Sequence, residues 1–189
     1  MRRWGTAVAA LALAGAGVAA SAGAATASIG TKRSVAAACS TAWGSQDKSG
    51  QDTDYQPLTN IRTGQHDCYD RIVFDISASG GRTGYRVGYV DKFHQDGSGE
   101  EIPVNGGAIL QISVDAPSYD AVSGKQTYAG RAGENLPGVN LAGYRTFKDT
   151  RYGASFEGQT QVAVGTRARL PFRVLQSGDQ LIVDVAHNW

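Results

Sequence analysis

A charge of one sign is what this sequence most conspicuously lacks. Its 18 Lys and Arg stand against 17 Asp and Glu, a formal +1 that becomes −1 once Arg2 and Arg3 are set aside. A near-neutral chain has no basic footprint for a phosphate backbone, which argues against nucleic-acid binding. Long apolar runs are also missing. The one clear run, Thr6 to Ala20, is about 15 residues, weakly hydrophobic and short of the ~20 that span a bilayer. No amphipathic helical window exists, because Gly and β-branched residues interrupt every candidate. The three histidines, His66, His94 and His187, are scattered, with no metal-ligand spacing among them. No cofactor is expected.

Catalytic motifs are lacking as well. Gly153-Ala154-Ser155-Phe156-Glu157-Gly158 misses the spacing of a serine-hydrolase elbow by one and lies among strands. Gly124-Lys125 has no upstream Gly of a phosphate loop. Asp52 and Asp54, and Asp91, Asp96, Glu100 and Glu101, follow no EF-hand order and read as solvated turn acids. The expectation is a protein that is not an enzyme. A hydrolase would need His, Asp or Glu side chains that meet only in three dimensions.

What is present begins with an export address. Arg2-Arg3, the apolar run, and small-residue sites such as Ala25-Thr26-Ala27 read as a signal peptide over 1–27. A small-residue tether, 28–38, follows. Residues 39–189 are then one domain, large enough to bury a core. Both cysteines, Cys39 and Cys68, fall in that domain. An even count in an exported chain predicts one disulfide, worth roughly 3–4 kcal/mol for a loop of about 30 residues. A metal site from His66, Asp67 and Cys68 is the weaker reading, since adjacent extended residues point apart.

The fold class reads as all-β, a single sandwich of eight or nine short, mainly antiparallel strands. Residues 39–67 look polar and turn-rich, and the folded body begins at Tyr69. In Tyr69–Ile76, Ile72, Phe74 and Ile76 share one face, and Arg71, Val73 and Asp75 the other. Tyr85–Val90 and Ala108–Asp115 alternate likewise, with Leu110, Ile112 and Val114 inward. Short or weak strands are expected at Ile102–Val104, Val139–Asp149, Ser155–Gly158 and Thr160–Val164. Leu170–Leu175 and Leu181–Val185 close the series. Asp75 and Asp184 sit at matching places in Ile72–Ile76 and Leu181–Val185, on the face away from the flanking apolar pair. The stretch 115–138, with Pro117, Gly124, Gly130, Gly133 and Pro137, has no periodicity and reads as functional or flexible.

Two sets of side chains suit a ligand. Tyr85, Tyr89 and Phe93 recur at or near period two, as a platform for sugar rings, with ordinary core packing as the alternative. Arg167, Arg169 and Arg173 share parity if 166–174 stays extended, a stripe for carboxylates or a solvated face.

The segments Tyr69–Ile76, Gly84–Val90, Phe156–Thr160, Arg169–Val174 and Leu181–His187, in that order, resemble the AMIN-like domain of exported actinobacterial proteins. The resemblance implies a β-sandwich related to AMIN domains. Those occur in periplasmic amidases and pilus secretins and localise them to the envelope, in some cases by binding peptidoglycan. It supplies no catalytic motif. The function expected is therefore an exported, non-enzymatic cell-envelope protein that binds peptidoglycan or another wall glycan. The alternative is an exported protein–protein interaction module that uses the 115–138 loop or a sheet edge.

Overall fold

In the computed structural model the described residues are Cys39, 42–52, 55–80 and 82–189. The signal peptide and tether expected over 1–38 lie outside them, as does Asp54. Nine strands follow in chain order: β1 Lys48–Gly50, β2 Leu58–Gln65, β3 Tyr69–Ile76, β4 Tyr85–Val90, β5 Ala108–Val114, β6 Phe147–Phe156, β7 Gln159–Thr166, β8 Phe172–Ser177 and β9 Gln180–Ala186. They form a five-stranded sheet, β1-β4-β5-β7-β6, and a four-stranded sheet, β2-β3-β9-β8. Every pairing is antiparallel. The described residues contain no helix.

Alternation makes the sandwich. Ile72, Phe74 and Ile76 of β3, Val183 and Val185 of β9, and Leu110, Ile112 and Val114 of β5 all turn into one interior and are buried. The β6–β7 hairpin turns on Glu157 and Gly158, both at positive φ (49° and 83°), the backbone that a two-residue hairpin with the right twist requires.

The polar segment before Tyr69 holds two strands that alternation does not reveal. In β2 the buried residues are Leu58 and Ile61, three apart. A bulge between Leu58 and Asn60 resets the register so that both reach the core. Strand β1 has only three residues, none of them a marked β-former.

Other expectations shift. Ile102–Val104 is not a strand. Only an isolated bridge, His94 to Glu101, forms nearby. Ile102 instead tucks under its own loop with Phe93 against Ala163. The strand expected over 139–149 begins at Phe147, because turns closed by Val139 N–H to Leu136 O (3.2 Å) and Tyr144 N–H to Leu141 O (3.1 Å) occupy the earlier part.

Both open seams of the sandwich are closed by irregular chain. At the β2/β6 side lies the 115–138 loop. Leu58 N–H donates to Pro117 O (2.8 Å), Tyr152 N–H to Glu134 O (2.9 Å), and Tyr128 and Leu136 enter the core. It is a built wall whose tip, 121–126, is exposed throughout. At the β4/β8 side lies the 42–50 segment, called the strap below. Phe172 N–H donates to Gly44 O (3.0 Å), and the Lys48 ammonium sits 4.1 Å from the Phe172 ring centroid. The disulfide Cys39–Cys68 ties the head of this segment to the start of β3.

Candidate functional site

The outer face of the five-stranded sheet divides in two. The 91–104 loop covers the β6/β7 half. Phe93 and Ile102 lie beneath it, and the buried Gln161 side chain fixes it, donating to His94 O (2.9 Å) and Asp96 Oδ1 (3.1 Å) while accepting from Asp96 N–H (3.1 Å). The β1/β4/β5 half stays open as a groove of about 380 Å³. Arg86 stands on its wall, with Gln111 and Ser113 beside it and Asp47 to Ser49 along the β1 rim. Arg86 also borders a second hollow of about 340 Å³, with Asp96, Gln159 and Phe156. Its Nη2 donates to Gln159 Oε1 (2.9 Å).

Two glycines shape the surroundings of Arg86. Gly84, just before β4, and Gly88, within it, lie two residues to either side of Arg86 at the same parity. A Cβ on Gly84 would fall 1.9 Å from Asp115 Oδ2, and one on Gly88 2.5 Å from Asp47 Oδ1. Each glycine thus makes room for a carboxylate beside the guanidinium. Burial raises the Asp115 carboxyl above the usual range. Arg86 opposes that rise, and the nearby Asp52 adds to it. Asp96 is raised for the same first reason and is likewise opposed by Arg86. The result is a guanidinium set near carboxylates on a rigid sheet, while the other cation of the lining, Lys48, places its ammonium on the Phe172 ring.

Of the residues picked out in the sequence, the structure does not assemble the aromatic platform. Tyr85 and Tyr89 pack against the interior, while Phe93 is wholly buried on the opposite face of the sheet. Tyr89 Oη donates to Leu170 O (2.9 Å) and accepts from Leu170 N–H (3.0 Å), which ties β4 to the β7–β8 crossover. The arginines do not form a stripe either. Residues 167–171 cross from one sheet to the other, so the assumed extended parity ends at Thr166. Arg167 donates to His187 O, Arg169 lies 5.3 Å from the Tyr89 ring centroid, and Arg173 alone reaches the outer face of the four-stranded sheet.

On that second face Asp184 is completely buried between Arg71 (Nε 2.6 Å, Nη2 2.9 Å) and Arg173 (Nε 2.8 Å). Asp75 accepts from Arg62, Asn60 and Gln180. The matched aspartates are therefore paired. Arg173 lies 4.3 Å from the Trp43 ring centroid and 5.3 Å from that of Tyr69, on which His66 stacks at 4.4 Å. These rings clamp the head of the strap, with each cation–π contact worth about 0.5–1 kcal/mol at a surface.

One constellation has the members of a nucleophile triad. Thr146 Oγ1 lies 3.0 Å from His187 Nδ1, and Asp70 Oδ1 lies 3.9 Å from His187 Nε2. All three are buried, and Nε2 also sits 3.0 Å from His66 O. Asp70 Oδ2 accepts from Thr146 N–H (2.6 Å) and Phe147 N–H (3.0 Å), so it latches β3 to the start of β6 across the interior. Among the described residues no group of three or more His, Cys, Asp or Glu is placed to hold a metal ion.

Sequence reasoning passed over Arg86, although its signal was present. Glycines at matching parity around a charged residue inside a strand mark a close approach by something else.

Comparison with known proteins agrees with this architecture at the level of the family. No curated protein and no solved structure matches the chain. The family model of the AMIN-like domain matches residues 56–187, from just before β2 to just after β9. The chain belongs to the AMIN-like domain family.

Proposed function

We propose that this protein is an extracytoplasmic, non-enzymatic module that binds peptidoglycan or another wall glycan through the open half of the five-stranded sheet. The observation that carries this reading is the groove of about 380 Å³ beside Arg86. Its walls offer hydrogen-bonding side chains on a flat, rigid surface, the chemistry a hydroxyl- and amide-rich polymer needs. Family membership supports the cell wall as the setting, and the disulfide supports an oxidising compartment. The 115–138 loop supports the partner-binding alternative less well, since its body closes the sandwich.

Co-sedimentation with purified sacculi tests the proposal. The wild-type protein is expected in the pellet. Ser49 is exposed on the groove rim, opposite Arg86 in the β1–β4 register. Ser49→Trp should plug the groove without touching the core and shift the protein to the supernatant. Wild-type protein that stays in the supernatant, or a plugged variant that still pellets, overturns the reading.

A further inference from the structure

The charges around Arg86 say which part of a wall polymer the groove fits. The Arg86 side chain makes one hydrogen bond among the described residues, to Gln159, which leaves other N–H groups of its planar fork available to an acceptor. To one side of it, at the end of β5, stands Asp115, and to the other, within the groove, stands Asp47, each admitted by a glycine. Neither carboxylate accepts a side-chain hydrogen bond from a described residue, whereas Asp75, Asp149 and Asp184 elsewhere in the fold all do. On the far side of Arg86 is Asp96.

A purely anionic ligand would meet Arg86 favourably but would face three carboxylates. A purely cationic one would meet the carboxylates but would face the guanidinium. An uncharged sugar chain would use neither, and would leave charges that are costly to cover. A group that carries an ammonium and a carboxylate a few ångströms apart satisfies both signs at once. Complementarity of this kind selects against the wrong partner as much as it favours the right one.

We propose that the sheet surface at Arg86, on the wall of the groove, recognises a zwitterionic amino-acid head group, with its carboxylate on Arg86 and its ammonium on Asp115. In a wall polymer, that head group is the free end of a diamino acid in a peptide stem, as opposed to the glycan strand. This rests on the groove being the wall-binding site, and it adds the ligand's chemistry. Gly84 belongs to the site because any side chain there would displace the Asp115 carboxylate.

Calorimetric titration tests it with three probes: an N-acetylated alanyl-γ-glutamyl-diaminopimelate peptide, the same peptide with its remaining amine acetylated, and a neutral N-acetylglucosamine tetramer. The first should bind. Acetylation of the amine should weaken binding about ten- to a hundredfold, the scale of a lost hydrogen bond between charged groups. Arg86→Gln should weaken the first probe by a similar factor, and Asp115→Asn by somewhat less. Arg86 is exposed, so Arg86→Gln should keep the wild-type circular dichroism and melting temperature, and Asp115→Asn should keep the circular dichroism and melt no lower. Gly84→Ala, which leaves every charge in place but moves Asp115, should also weaken it. If the protein pellets with sacculi yet binds the tetramer and not the peptide, the zwitterion proposal falls and the wall-binding reading stands. Equal affinity for the two peptides overturns it as well. If the protein neither pellets nor binds any probe, both fall together.

Discussion

Burial and charge pull Asp115 in opposite directions. Its carboxyl is pushed up by burial and by Asp52, and held back by Arg86. A carboxyl whose folded pKa is raised binds its proton more tightly in the folded state. Its stabilising contribution is full below the unfolded value and is lost as pH rises through the folded one. At neutral pH the ionised side chain therefore costs stability. Asp115→Asn should melt at or above the wild-type temperature at pH 7, with the difference closing below about pH 4, near the ordinary Asp value. Thermal melts of both proteins across that range check this. A lower melting temperature for the variant at pH 7 would show that the carboxylate is stabilising, and it would lose its reading as a ligand group. A residue that weakens the fold but improves a site is hard to see in a sequence. Asp115 reads there only as a strand end. Phe93 and the arginines were misread for a related reason: parity predicts a face only while the backbone stays extended, and Phe93 lies just past the end of β4 while Arg167 and Arg169 lie past the end of β7.

At the scale of elements, the readable strands were those whose large apolar residues recur at every second position. In β3, β5 and β9 the residues that enter the shared core do so, even though the other face of β9 is also buried, and sequence alone located these strands within a residue or two. β2 escaped because its bulge places buried residues three apart, and β1 because three residues carry no pattern. The 115–138 loop escaped for the opposite reason. It has core residues, Tyr128 and Leu136, but no regular spacing between them. Its two parts should respond differently to change. Replacing exposed residues 121–126 with a short Gly-Ser link removes no core contact and should leave stability within about 0.5 kcal/mol, as for ordinary surface changes. Leu136→Ala should cost about 2–4 kcal/mol, because Leu136 is 2 % exposed and its loss leaves a cavity between the loop and β6. Chemical denaturation measures both. A link that destabilises as much as Leu136→Ala would show that the tip, too, is part of the wall.

The whole molecule is a sandwich whose two seams are closed by chain from outside the sheets, and the strap is the more loosely held of the two closures. β1 pairs with β4 through three rungs only, Lys48 to Val87, Ser49 to Arg86 and Gly50 to Tyr85. So short a pairing needs support at its head, which the Cys39–Cys68 bridge and the Trp43–Arg173 contact supply. The bridge spans 29 residues of sequence, so its removal should cost roughly 3–4 kcal/mol on the chain-entropy account. For a domain of this size that lowers the melting temperature by about 10 °C. The same strap carries Asp47, Lys48 and Ser49, which form one rim of the groove. Loosening it should therefore blunt the site before it unfolds the sandwich, since the core strands β3, β5, β7 and β9 lie elsewhere. Cys39→Ser combined with Cys68→Ser should melt about 10 °C lower. At 25 °C it should keep its β-sheet circular dichroism yet pellet less with sacculi than the oxidised protein. Reductant should give the wild type both properties. If the double variant melts with the wild type, the bridge does not hold the strap. If it melts lower but pellets equally, the β1 rim is not part of the binding surface, and the ligand contacts must come from β4 and β5 alone.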